Sequence, residues 1–201
     1  MKLYLNKPSP YARLVFVVAH EKNLAGRLEL EWTDPWQNPA ELTRVNPFSR
    51  VPALVTDDGL TIVDSACICD YLDRLGSGRS LLPAELKERT AVLRRYGLAR
   101  TLTDSAFGAV IERRFNPAAG EPALAKRWLA AVAAALDAME HDASIACATA
   151  QPDLGDLALA VALGYIDFRL KEVAWSTGRP RLAAWHGEIN KRESMRATPH
   201  A

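Results

Sequence analysis

"NPFSRVPALVTDDGLTIVDSACICDYLD", residues 46–73, decides the fold. It holds two short β-rich runs on either side of Asp57-Asp58-Gly59. That triplet is a hairpin signal, because glycine adopts the positive φ that closing a tight turn requires. Pro52 cannot donate to a β-ladder, so its ordinary place is a strand start or an edge. From Ser65 the pattern becomes helical, with Ala66, Cys69, Tyr71, Leu72 and Leu75 recurring roughly every third or fourth residue, until "GSG" at 76–78 stops it.

Working back toward the amino terminus, "KLYL" (2–5) is a strand candidate, and "KPSPYARLV" (7–15) places Ser9 as N-cap before a proline at the first helical position. A helix from Pro10 to about His20 follows. The β-branched "LVFVVA" inside it would also pass as a buried strand, and the cap decides for helix. "RLELEW" (27–32) alternates charged and apolar residues as a half-buried strand does. A loop, "DPWQNP" (34–39), and a short helical turn over "PAELTRV" (39–45) lead back to the opening stretch. The first portion therefore reads β-α-β, then a hairpin and a closing helix.

Beyond a linker around "GSGRSLLPAEL" (76–86), strand signals almost vanish. Val92, Tyr96, Ala99, Leu102, Ala106 and Val110 form one stripe of a long helix, and Trp128, Val132, Leu136 and Met139 form another. "LALAVALGYI" (157–166) is apolar nearly all round, which predicts a helix at the centre of a bundle, with Asp153 able to cap its start. A last short helix carries Leu182, Trp185 and Ile189 on one face and ends near 190–194.

The totals exclude several classes. With 201 residues and 49% hydrophobic content, the chain can bury a sizeable core. A net charge of +1, divided as −1 over residues 1–80 and +2 over the rest, offers no basic stripe for nucleic acid. The amino terminus has no signal-like apolar run, and no stretch is long enough to span a bilayer, so a cytoplasmic protein is expected. Three cysteines, with Cys67 and Cys69 on different faces of one helix, speak against a disulfide framework. The four scattered histidines offer no metal-clasping spacing, and no metal is expected.

Three local features could carry chemistry. Ser9 either caps its helix or turns its hydroxyl to a ligand at the positively polarised helix end, and both can hold together. Val51-Pro52 is either a plain strand start or, with a cis bond, a short edge able to pair with a peptide-like ligand. Asp64-Ser65 is either a helix cap or a carboxylate site at a helix start.

Taken in order, "SPYAR", "NPFSRVPAL", the "DDG" hairpin, "DSACICDYLD" and an all-helical second half resemble the cytosolic glutathione S-transferase family, essentially along the whole chain. The likeness is closest to small bacterial members with serine in the first loop. It implies an α/β plus all-α fold: a thioredoxin-like, glutathione-binding domain over 1–78, a linker over 79–88 and a C-terminal helical bundle over 89–201. It also implies glutathione as co-substrate, a homodimer and transfer of the tripeptide to a small hydrophobic electrophile. Ser9 would donate to the glutathione sulfur as the catalytic group. Val51 would pair through its backbone with the cysteinyl part, Pro52 would be cis, and Asp64 and Ser65 would hold the γ-glutamyl end. Arg50 would touch the glycyl carboxylate, with Trp36 and Gln37 as weaker candidates nearby. Tyr11, Thr103, Asp104 and Phe107 are expected to line the electrophile site, although aromatics at helical spacing are more often core. No cysteine precedes Cys67, so a disulfide-forming mechanism would lack its nucleophile. The other open alternative is a non-catalytic binding or assembly module on the same fold.

Overall fold

The computed structural model describes residues 1–117, 120–146 and 150–200. The chain divides into two compact units that are not consecutive in sequence: Met1–Leu82 together with Glu193–Ala201, and Pro83–Arg192.

The first unit is built on a four-stranded sheet of order β2-β1-β3-β4. Strands β1 (Lys2–Leu5) and β2 (Glu29–Trp32) are parallel, joined by helix α1 (Pro10–Glu21). β3 (Ala53–Val55) runs antiparallel to β1, and β4 (Thr61–Ile62) antiparallel to β3. The β3–β4 turn closes through Gly59 at φ 85°, with Thr56 N–H donating to the Leu60 carbonyl at 2.9 Å. The β-branched run in α1 is helical as the cap requires, and Val15, Val17 and Val18 are fully buried. β2 begins two residues later than its charge alternation predicts, because Ala25–Arg27 forms a 3₁₀ turn.

Side chains alternate across the sheet. Tyr4 and Ala53 face one way and pack with Leu42 and Val45 of α2 (Ala40–Val45). Leu3, Leu5 and Leu54 therefore face the other way, toward the side on which α1 and α3 (Ser65–Leu75) pack together. With both faces covered, β1 is a nearly continuous apolar run. This is the thioredoxin-like arrangement.

Lys22 and Asp73 close this unit with an ion pair of 3.0 Å whose side chains are only 2% and 5% exposed. Lys22 also donates to the Arg79 carbonyl at 2.9 Å. Asp73 accepts from Ser80 Oγ at 2.8 Å and from the N–H groups of Leu81 and Leu82 at 2.8 and 3.0 Å. The segment leaving α3 is thereby tied down by one buried carboxylate. A further helix that periodicity does not predict, α8 (Glu193–Arg196), packs on α1.

The second unit is helical. α4 (Leu86–Phe115) packs against α5 (Ala123–His141) and α6 (Leu154–Arg169), and α7 (Pro180–Ile189) packs against α5 and α6. The α4 stripe is buried at Val92, Ala99, Leu102 and Ala106, only half-buried at Tyr96 and Val110, and it broadens to Thr103 and Ala109. α6 is buried without interruption from Leu154 to Leu163, as a central helix must be. At its start Gly155 touches α4 so closely that a Cβ would lie 2.6 Å from the Arg95 Cβ and 3.1 Å from the Val92 carbonyl.

Asp153 caps α6, accepting from Gly155 and Asp156 N–H, while the Asp156 carboxylate accepts from Asp153 N–H at 3.2 Å. Asp153 is also paired with Arg95. Asp156→Ala removes one half of this reciprocal cap and leaves a buried N–H unmet. It is expected to cost about 1–2 kcal/mol, read from the denaturant midpoint at unchanged slope. Among the described residues no helix is long and apolar enough to cross a membrane.

Candidate functional site

Strand register brings the three sequence features together. Tyr4 pairs with Ala53, so the end of β1, which feeds the Ser9 elbow, lies beside the start of β3, which follows Val51-Pro52. Leu54 pairs with Ile62, so the end of β4, which feeds Asp64-Ser65, lies beside that same start. Neighbouring strands are about 4.8 Å apart, so three adjacent strands bring all three loops to one end of the sheet within about 10 Å. β2 contributes its own exit there: Leu5 pairs with Trp32, the Asn6 side-chain amide donates to the Thr33 carbonyl at 3.0 Å, and the Lys7 ammonium lies 5.8 Å from the Trp32 ring centroid.

Ser9 is half-buried, with φ −79° and ψ 118°, as an N-cap should be. Its hydroxyl oxygen accepts from Ala12 N–H at 3.2 Å and its carbonyl from Arg13 N–H at 3.0 Å. Accepting leaves the hydroxyl proton available for donation, beside the positive end of α1. The cap and the outward donor are thus compatible in one side chain.

The Val51–Pro52 bond is cis, and so is Val63–Asp64. Pro52 is buried and Val51 half-buried. The Val51 N–H and carbonyl are outside the β1–β3 ladder, which begins at Ala53. The loop before them is shaped by Asn46, whose amide donates to the Arg50 carbonyl at 2.8 Å and whose side-chain oxygen accepts from Phe48 N–H at 3.1 Å. Ser49, at φ 49°, donates its hydroxyl to the Pro35 carbonyl at 3.3 Å. The sequence motif containing Asn46 assigns that residue no role of its own, though an asparagine before proline is itself a turn signal. Arg50 is exposed on this loop, and Trp36 and Gln37 are exposed on the loop it is tied to.

Asp64 is the N-cap of α3, accepting from Ala66 N–H at 3.0 Å, and Ser65 is the first helical residue, 2% exposed. Tyr11 is half-buried in the first turn of α1. Thr103, Asp104 and Phe107 belong to α4 of the second unit. Thr103 is buried and donates its hydroxyl to the Ala99 carbonyl at 3.0 Å, Asp104 is exposed and paired with Arg100, and Phe107 is half-buried. Cys67 is exposed and Cys69 buried, neither of them in a disulfide among the described residues, while Cys147 lies outside the described residues. Among the described residues no group of three or more histidine, cysteine or acidic side chains is placed to hold a metal.

The sequence matches the "Glutathione S-transferase, N-terminal domain" family over residues 8–75, which span all three loops, and the corresponding C-terminal domain family over 121–188. The chain belongs to the glutathione S-transferase family. Glutathione S-transferase L1 of Arabidopsis thaliana is 30% identical over 94% of this chain and 78% of its own. An uncharacterized GST-like protein of Escherichia coli K12, YibF, is 27% identical over 98% of both chains. Among solved structures, a glutathione transferase family member from Pseudomonas fluorescens Pf-5 with bound S-(propanoic acid)-glutathione superposes with a TM-score of 0.87 at 32% identity, covering 100% of both chains. A glutathione S-transferase from Methylobacillus flagellatus KT with glutathione bound gives 0.85 at 30% identity, covering 100% of this chain and 99% of its own. As a family member, the chain has its thioredoxin-like loops where the N-terminal family match lies and its helical unit where the C-terminal match lies.

Proposed function

We propose that this glutathione S-transferase family member binds glutathione at the β1, β3 and β4 loop cluster and transfers it, as the thiolate, to a small hydrophobic electrophile. The observation that carries this is the meeting, at one sheet end, of two hydroxyl-bearing helix starts and a strand lead-in whose backbone groups are outside the ladder. Each element suits one part of a γ-glutamyl tripeptide. The start of α3, with Ser65 inside Asp64, suits the γ-glutamyl carboxylate; Val51, ahead of Pro52, can pair with the cysteinyl backbone; Arg50 can reach the glycyl carboxylate. Ser9 then faces the thiol. Bound structures of the relatives from Pseudomonas fluorescens and Methylobacillus flagellatus support the choice of ligand.

The chain's own groups supply two things: a donor that favours the thiolate over the thiol, and a fixed position for it near the acceptor. Tyr11, Thr103, Asp104 and Phe107 are proposed to line the acceptor's side of the site. A homodimer accompanies this function, and the 74% exposed Phe48 is a side chain that a second copy would cover.

Calorimetry with glutathione tests the assignment, with binding expected below millimolar concentration. Ser65→Ala is expected to weaken it about tenfold, the loss of one charge-assisted hydrogen bond worth about 1.4 kcal/mol. No heat of binding at millimolar glutathione would reject the site. Binding with neither thiolate absorbance nor conjugation across an electrophile panel would favour a non-catalytic module.

A further inference from the structure

The chain from Glu193 rejoins the first unit and runs along α1 in the opposite direction. Ser194 donates its hydroxyl to Glu21 Oε1 at 2.5 Å, at the last residue of α1. Four residues on, the Thr198 carbonyl accepts from Arg13 Nε at 2.6 Å, near the helix's first turn. Ser194, Met195 and Thr198 are all buried, so this is a packed contact.

Arg13 is an unusual anchor. Among the described residues its side chain makes only that one hydrogen bond, to a neutral carbonyl, and burial pulls its pKa down to about 10. A guanidinium is costly to desolvate, and a surface position would have avoided the cost. Arg13 stands four residues after Ser9, on the same face of α1, and helical side chains lean toward the helix amino terminus. Its backbone N–H holds the Ser9 carbonyl at 3.0 Å. Of the other charged or titratable groups along the contact, His20, Glu21 and Glu193 are at the far end of α1, where burial lowers the His20 pKa against the opposing pull of Glu193 and Glu21, while Arg196 is exposed on the segment itself and His200 is half-buried two residues beyond Thr198. On α3, packed against α1, Asp73 is closed by Lys22 and Asp70 by Arg74.

We propose that Arg13 is a positioning residue for Ser9: anchored on the Thr198 carbonyl, it fixes the first turn of α1, so that the terminal segment governs how strongly the glutathione thiol is activated. The inference rests on Ser9 being the thiol's donor.

The test is a pH titration of thiolate absorbance in the glutathione complex of the full chain. Arg13→Met keeps the stem and removes the donors, and is expected to raise the titration midpoint by about 0.5–1 unit, leaving roughly three- to tenfold less thiolate at acid pH. Glutathione affinity should stay within about threefold, because the ligand's own contacts are intact. Arg13→Lys, which can still reach the carbonyl, should restore most of the midpoint. Ser194→Ala loosens the far end of the segment and should shift the midpoint the same way by less. It also carries the test if Arg13→Met does not fold. A wild-type complex with no thiolate signal overturns the Ser9 assignment and this inference together. A wild-type signal left in place by every folded Arg13→Met or Ser194→Ala variant overturns the inference alone.

Discussion

Ser9→Ala is expected to raise the pKa of bound glutathione's thiol by about one to two units, because a hydrogen bond to a charged acceptor is worth about 1.5–3 kcal/mol and each unit corresponds to about 1.4 kcal/mol. A free thiol of pKa about 8.5 is only roughly 3% thiolate at pH 7, and a donor of that strength brings the fraction to tens of per cent. Below both midpoints the variant should therefore hold about ten- to a hundredfold less thiolate. The rate falls less, because a more basic thiolate is also a better nucleophile, with a Brønsted slope of about 0.4–0.5. kcat/KM should drop about three- to tenfold at low pH, and the order should reverse above both midpoints, where both proteins are fully ionised and the variant's thiolate is the more reactive. Below both midpoints, where either protein binds the thiol form, glutathione affinity should change less than about threefold. A rate loss that is uniform across pH, with an unmoved thiol titration, would mean that Ser9 acts in some other way.

Asp73→Ala should be the most destabilising single change proposed here, at about 3–5 kcal/mol, because it strands the buried Lys22 ammonium and unties the segment after α3 at once. Lys22→Met should cost less, since Asp73 would keep its three other donors. Burial pushes the Asp73 carboxyl up, but hydrogen bonds from Leu81, Ser80, Lys22 and Leu82 outweigh it and hold the group below its ordinary value. A carboxyl whose folded pKa is depressed stabilises the fold above its unfolded value of about 3.9, and loses that contribution as the pH falls through the lower folded value. Thermal melts across the acid range should thus show wild-type stability declining more steeply than that of Asp73→Ala. Parallel acid profiles for the two would contradict this role for Asp73.

What was legible in the sequence follows the range of the interactions involved. The Ser9 cap, the Gly59 turn and the Asp153 cap are decided within a few residues, and each is where local chemistry places it. The central position of α6 was equally legible, since a helix apolar all round has nowhere else to go. α8 was not: four residues are too few to show a period. Nor was the tie between Arg13 and Thr198, 185 residues apart, or that between Lys22 and Arg79, 57 apart. A buried lysine and a half-buried arginine look like surface residues until their partners are known. At the site, the residue types were visible in the sequence, while the convergence of their loops depends on the β1–β3–β4 register, which only pairing reveals.

The return of Glu193–Ala201 to the unit begun at Met1 also orders events in time. During synthesis every residue of the helical unit, Pro83–Arg192, is made before the last piece of the sheet unit, which starts at Glu193. The nascent chain would therefore carry α1 without its cover until synthesis has passed Glu193, so this helix, the first to be made, would be among the last to be fully packed.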